Sequence, residues 1–221
     1  AAAGAAGGVG LPAILSGRSR GMNVVLVICD AMRADVIGRS VKGMEVTPNL
    51  NALAVGGLSF QNAFSAAPAT KYSMASIMTG LYPPAHGVEF AMYTLPDCLS
   101  IARFLSSRGL GTIGVVSNPY MEAEFGPDGS KKPCGFGFND SFDSYNMAIP
   151  NRADLSEKDL SLEAFSSGEE VNRTFFRCLD RASVLSRKSG APLFAYVHYM
   201  DTHQPWIRSR PLEGVTGRFH A

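Results

Sequence analysis

A carboxylate and a hydroxyl, Asp30 and Thr70, are the side chains of this sequence whose types and settings best suit joint chemistry. Asp30 closes the apolar run Asn23-Val24-Val25-Leu26-Val27-Ile28-Cys29, and Thr70 stands just ahead of the segment Ser73-Met74-Ala75-Ser76-Ile77-Met78, which closes on Thr79-Gly80. Carboxylate oxygen suits a hard divalent cation, and a cation beside a hydroxyl favours its alkoxide. The pair therefore has the makings of a metal-assisted ester-cleaving site. A helix beginning near Ser73 would add free N–H groups that favour negative charge close by. Each residue also has a plainer reading: Asp30 as the cap of the next turn, Thr70 as a helix N-cap. Lys71 either neutralises an anionic substrate or is a solvated lysine. Arg33 and Asp35 read as an ion pair or cap that fixes the loop behind Asp30.

The elements that must position these groups follow from periodicity. Residues 23–29 are a continuous run rich in β-branched residues, the pattern of a strand covered on both faces. Thr47-Pro48 opens a helix that Gly56-Gly57 stops, and Leu58 to Phe64 reads as a short strand leading to the Thr70 loop. Thr94-Leu95-Pro96-Asp97 opens a further helix with Cys98, Ile101, Ala102 and Leu105 on one face and Gly109 at its end. Thr112 to Val116 is a second buried strand, ending in Ser117-Asn118. Residues 120–166 read mostly as loop. Ser167-Gly168-Glu169-Glu170 is a capping box, starting a helix with the stripe Val171, Phe175, Cys178, Ala182 and Leu185. Leu193 to Val197 is a third buried strand, running into His198, Asp201 and His203. Alternating strands and helices predict an α/β domain with a largely parallel sheet, whose ligands bind beyond the carboxyl ends of the strands. Three predicted strands end in polar groups, which points to one site there.

The composition narrows the function classes. A formal charge of +1, 46% hydrophobic and 18% charged residues describe a globular protein without the basic stripe of a nucleic-acid binder. The four cysteines lack CxxC spacing and are too few for a disulfide framework; Cys29 and Cys178 read as buried thiols. No apolar run reaches the ~20 residues of a membrane helix. Residues 1–21 read as a flexible leader, and the chain reads as an excerpt from something longer. Dinucleotide binding is disfavoured, since Asp30-Ala31-Met32-Arg33 stands where a glycine-rich turn would follow the first strand.

Asn23 to Gly38, Thr47 to Leu53, Thr70 to Val88 and Tyr196 to Trp206 together resemble the sulfatase family of the alkaline phosphatase superfamily, in that family's order. The resemblance implies that residues 22–221 are the N-terminal part of a sulfatase-like catalytic domain, a three-layer α/β/α sandwich incomplete at the C-terminus. It also implies a divalent metal ion (calcium, manganese or zinc), with Asp30 and Thr70 among its ligands and Thr70 at the nucleophile position. His203, in Asp201-Thr202-His203-Gln204-Pro205, would contact the anionic group or leaving oxygen, and Asn118 falls near a position used for substrate oxygens. His198 and Asp201 are open between supporting the site and supporting the fold; His86 reads as structural. The implied partner is a small anionic ester, and relatives are often extracytoplasmic.

The departures carry chemistry of their own. Where sulfatases begin C/S-x-P-x-R, this chain has Thr70-Lys71-Tyr72-Ser73-Met74, so no formylglycine is expected. An aldehyde hydrate sheds sulfate by collapsing to the aldehyde, whereas a threonine ester must await water or another acceptor. Ala31 stands where the family has a second acid, and the family's Gly-Lys-Trp lysine is replaced around Ser117-Asn118. These features favour phosphate over sulfate chemistry. They leave as alternatives a phosphoryl-group transferase and a non-catalytic module binding an anionic ligand. One carboxylate and one hydroxyl fall short of a divalent ion's shell, so this stretch alone is expected to be inactive.

Overall fold

The computed structural model describes residues 21–89, 94–95, 100–122, 130, 136–148 and 166–203. Four parallel strands form its centre: β1 (Val24–Cys29), β4 (Gly111–Val116), β5 (Ser144–Met147) and β6 (Leu193–Tyr199), in the order β1-β6-β4-β5. A two-residue hairpin, β2 (Ser40–Val41) with β3 (Met44–Glu45), stands apart. The helices are α1 (Pro48–Gly56), α2 (Thr70–Thr79), α3 (Pro83–His86), α4 (Ile101–Ser107) and α5 (Gly168–Ser189).

The sheet is covered on both sides because alternate residues of its inner strands are apolar on opposite faces. Phe194 and Tyr196 of β6 and Val116 of β4 pack with Met74, Ala75 and Met78 of α2 and with Ala102 of α4. On the other face Ile113, Val115 and Val197 meet Val171, Phe175, Cys178 and Ala182 of α5. The result is the expected α/β/α layering. Each large side chain fully withdrawn from water contributes about 1.5–3 kcal/mol, so these two clusters hold the layers together. Gly114 is required where it stands: a Cβ there would come within 2.4 Å of the Tyr145 ring.

Several expectations are corrected. β1 is an edge among the described strands, and its outward side is bare, with Val25 and Val27 each 53% exposed. Leu58 to Phe64 forms no strand; it pairs with none of the described strands, and Leu58, Phe60 and Phe64 stand in solvent. Thr94 and Leu95 lie in no helix, and the Leu95 N–H is given to the Phe136 carbonyl at 3.0 Å. The helix starts at Ile101 instead, where the Ser100 hydroxyl accepts from the Arg103 N–H. Its inner face is Ala102 and Leu105, while Ile101 turns outward. The expected loop over 120–166 contains β5, locked to β4 by a reciprocal pair: the Thr112 N–H donates to Asp143, and the Asp143 N–H to the Thr112 hydroxyl. The leader up to residue 20, Pro96 to Cys98, Cys134, Leu185's side chain and Gln204 onward lie outside the described residues.

The capping box is present. The Ser167 N–H donates to the Glu170 carboxylate at 2.9 Å, and the Glu170 N–H to the Ser167 hydroxyl at 3.4 Å. Thr47 precedes Pro48 at the start of α1 as expected, but its hydroxyl donates to the Val36 carbonyl and to Asn51 rather than capping the helix.

Candidate active site

The carboxyl ends of β1, β4 and β6 lie level with one another, since Ile28 and Val116 both pair with His198. Asp30 follows β1 and is tied to the end of β6 by its own N–H, which donates to the Tyr199 carbonyl at 3.0 Å. Asn118 follows β4, and Ser117 beside it donates its hydroxyl to the His198 carbonyl at 3.1 Å. α2 crosses the same rim. Its buried stripe Lys71, Met74, Ala75 and Met78 repeats at i, i+3, i+4 and i+7, and Gly80 ends it at φ +72°, a conformation that glycine alone adopts without cost.

This packing delivers three donors to a single oxygen. Asp30 Oδ2 accepts from the Thr70 hydroxyl at 2.8 Å, from Asn118 Nδ2 at 3.1 Å and from His198 Nε2 at 3.0 Å. Thr70 is therefore not the N-cap of α2. Ala69 holds that position without a side-chain bond, and the threonine is the first helical residue with its hydroxyl turned to the aspartate. Burial alone would push the Asp30 carboxyl up. The hydrogen bonds from His198 and Thr70 outweigh it and hold the group below the usual carboxylate value. Asp30 is thus an ionised, weakly basic carboxylate near neutral pH.

These groups open on a cavity of about 680 Å³, lined also by Lys71, Tyr72, Tyr120, Met200 and His203. The structure brings Asp30, Thr70, Lys71, Asn118 and His203 to this one cavity. Asn118 is buried and held at both ends of its amide, its Oδ1 accepting from the Tyr120 N–H at 2.9 Å. Lys71 is not a solvated lysine: it is 4% exposed, with Nζ 5.7 Å from the centre of the Phe136 ring. Asp201 belongs to the fold, accepting from the Gly168 N–H at the start of α5. Arg33 and Asp35 form an exposed two-bond ion pair, at 2.8 and 2.7 Å.

Two other clusters that invite a chemical reading are structural. Ser76 and His86 are buried 3.0 Å apart, but His86 Nδ1 accepts from the Val88 N–H, so Nε2 carries the hydrogen and cannot take one from the serine. Burial lowers the pKa of this imidazole, keeping it neutral. The Cys29 thiol is half-buried, and burial with the Asp201 charge raises its pKa, which leaves it a weak nucleophile. Tyr196 is a site residue that its sequence setting does not mark; its hydroxyl lies 2.6 Å from His198 Nδ1. A histidine inside an otherwise apolar buried strand was the signal available.

A divalent cation fits this donor set only in part. Asp30 is the acidic side chain lining the cavity, and among the described residues no three His, Cys, Asp or Glu side chains gather as a metal cluster. An ion at Asp30 would need further oxygen ligands.

The sequence profile described as Sulfatase matches residues 22–221. A curated arylsulfatase of Clostridium perfringens (strain 13 / Type A) is 42% identical over 65 residues, which are 29% of this chain and 14% of that protein. Among solved structures, a protein of the alkaline phosphatase superfamily from Vibrio parahaemolyticus superposes with a TM-score of 0.56 at 21% identity, over 90% of this chain and 44% of that one. The C-terminal periplasmic domain of EcEptC from Escherichia coli, solved as a complex with Zn, gives 0.57 at 17% identity, over 88% of this chain and 48% of its own. The chain thus spans less than half the length of these structures and a small part of the arylsulfatase.

Proposed function

Because this chain belongs to the sulfatase family, we propose that it carries the nucleophile-bearing part of a metal-dependent hydrolase of sulfate or phosphate esters, with Thr70 at the nucleophile position. The observation that carries this reading is the 2.8 Å hydrogen bond from the Thr70 hydroxyl to an aspartate forty residues away, at the rim of a cavity. A threonine serving only as a helix cap would spend its hydroxyl on the helix.

In this reading Thr70 Oγ1 attacks sulfur or phosphorus, and its proton leaves along the existing bond to Asp30 Oδ2. A carboxylate held below its usual pKa is a weak base, so the hydroxyl needs further help to ionise. A divalent cation at Asp30 would supply Lewis-acid stabilisation of the nucleophile and the ester oxygens. His203 gives a proton to the departing alkoxide or phenoxide as its bond to sulfur or phosphorus breaks. Free N–H groups in the first turn of α2 favour the charge on the remaining oxygens. The covalent threonine ester persists until water attacks it, releasing sulfate or phosphate and restoring Thr70. That persistence, together with the absence of Cys or Ser at the head of Thr70-Lys71-Tyr72-Ser73-Met74, favours phosphate esters. It equally suits transfer to an alcohol acceptor.

The test is turnover of aryl sulfate, aryl phosphate and aryl phosphodiester substrates by the complete protein and by its Asp30→Asn variant. Phosphate-ester turnover lost in the variant and on chelation, and restored by Ca²⁺, Mn²⁺ or Zn²⁺, is the expected result. Sulfate turnover alone overturns the phosphate preference. Anion binding without turnover of any ester overturns the enzyme reading in favour of a binding module.

A further inference from the structure

We propose that Tyr196 and His198 are positioning residues: a buried hydrogen-bonded column that presents the Asp30 carboxylate to Thr70 through one fixed oxygen. The inference rests on the reading of Thr70 and Asp30 as a reacting pair. It concerns two side chains to which neither the resemblance nor the comparisons assign a role in the chemistry.

The column runs Tyr196 hydroxyl to His198 Nδ1 at 2.6 Å, then His198 Nε2 to Asp30 Oδ2 at 3.0 Å. Both residues are fully buried, two apart on β6, and so on the face that α2 covers. Polarity fixes each hydrogen. An ionised carboxylate only accepts, so Nε2 carries the hydrogen, Nδ1 is left to accept, and the tyrosine donates. Burial pushes the Tyr196 hydroxyl well above its ordinary value, so it keeps that hydrogen.

The need for such a column follows from the carboxylate's freedom. The terminal torsion of an aspartate is broad and roughly two-fold, so its oxygens exchange unless something holds them. Thr70 and Asn118 reach Oδ2 from α2 and from the end of β4. His198 adds a third donor from β6, whose backbone is fixed by pairing on both sides. Among the described residues none of these bonds goes to Oδ1. Apolar side chains would fill the same space beneath α2 without the desolvation of a phenol and an imidazole. The buried polar column is therefore explained by what it points at.

The test combines ¹⁵N spectra of the His198 ring with turnover of the aryl ester that the wild type cleaves best. The expected wild-type spectrum shows the neutral ring protonated at Nε2. Tyr196→Phe, which deletes only the hydroxyl, should shift the Nδ1 resonance and lower kcat about tenfold with KM unchanged. His198→Ala should lower kcat about 10–100-fold, the range found when groups supporting a ligand are removed. His198→Gln, with an amide near the Nε2 position, should recover part of the loss. Urea unfolding establishes that each variant is folded. A wild-type ring protonated at Nδ1, an unmoved Nδ1 resonance in Tyr196→Phe, or kcat within twofold of wild type in a folded His198→Ala overturns the proposal. Failure of the underlying reading shows separately, as undiminished turnover in Thr70→Val. The ring spectra require no turnover, so they decide the column's polarity in either case.

Discussion

Replacing Thr70 by valine separates a nucleophile from a mere hydrogen-bond donor. Valine keeps the β-branched shape and removes only the hydroxyl. α2 loses no cap, because Ala69 occupies that position without a side-chain bond. The folded state loses one hydrogen bond to a charged acceptor, a class worth about 1.5–3 kcal/mol. Asn118 and His198 still donate to the same oxygen, which places the cost near the lower figure. A protein of ordinary stability, about 5–15 kcal/mol, stays folded after such a loss. Turnover should respond very differently. A hydroxyl that only helps bind substrate through one hydrogen bond accounts for about tenfold, or roughly 1.4 kcal/mol. Loss of the attacking atom removes the reaction path, and kcat should fall at least ~1,000-fold, above ~4 kcal/mol. The assay is aryl phosphate and aryl sulfate hydrolysis followed by phenolate release, with urea unfolding of the same samples. A folded Thr70→Val protein that keeps more than a tenth of wild-type kcat would refute the nucleophile assignment.

Ala31 adopts φ +56°, a left-handed conformation that costs an L-residue about 1–2 kcal/mol, so Ala31→Gly should raise the urea midpoint by the equivalent of about 1 kcal/mol. Ala31→Asp is tolerated at such an angle and adds a second acid to the cavity lining; calorimetry should show Mn²⁺ binding at least ~10-fold tighter. Because the folded Asp30 carboxyl lies below its ordinary 3.8, it adds stability above that pH, and the contribution drains away as pH falls through the folded value. Urea unfolding between about pH 6 and 3 should show this loss, and Asp30→Asn should flatten it. Ser167→Ala, which removes the hydroxyl half of the α5 capping box, should cost about 1 kcal/mol in the same assay and leave ester turnover unchanged.

The layered parallel architecture was legible because short runs rich in β-branched or aromatic residues at 24–29, 112–116 and 193–197 announce strands wherever they fall. Their coverage was not. β1 has the composition of an interior strand, yet only its position in the sheet decides that Val25 and Val27 face outward. β5 has no such signal, because Ser144-Tyr145-Asn146-Met147 carries no apolar run; its place is set by the Thr112–Asp143 bonds, which cross 31 residues. The hairpin of β2 and β3 is too short to show a period. At the site, Asp30 and Thr70 could be singled out by their flanks. The roles of His198 and Asp201 could not, since three residues apart one reaches the β1 terminus and the other the start of α5. That division depends on which way each side chain leaves the chain, a tertiary fact that spacing does not encode.

The level alignment of Ile28 and Val116 with His198 has a consequence for how the protein can err. Successive residues of a strand face opposite ways, so a slip of β6 by a single position would send the imidazole to the α5 side and leave the aspartate one donor short. Chemistry and strand alignment are thereby read out together: a mis-threaded sheet carries a weakened centre. Whatever selects for the reaction also proofreads the pairing of segments that lie more than 160 residues apart in the chain.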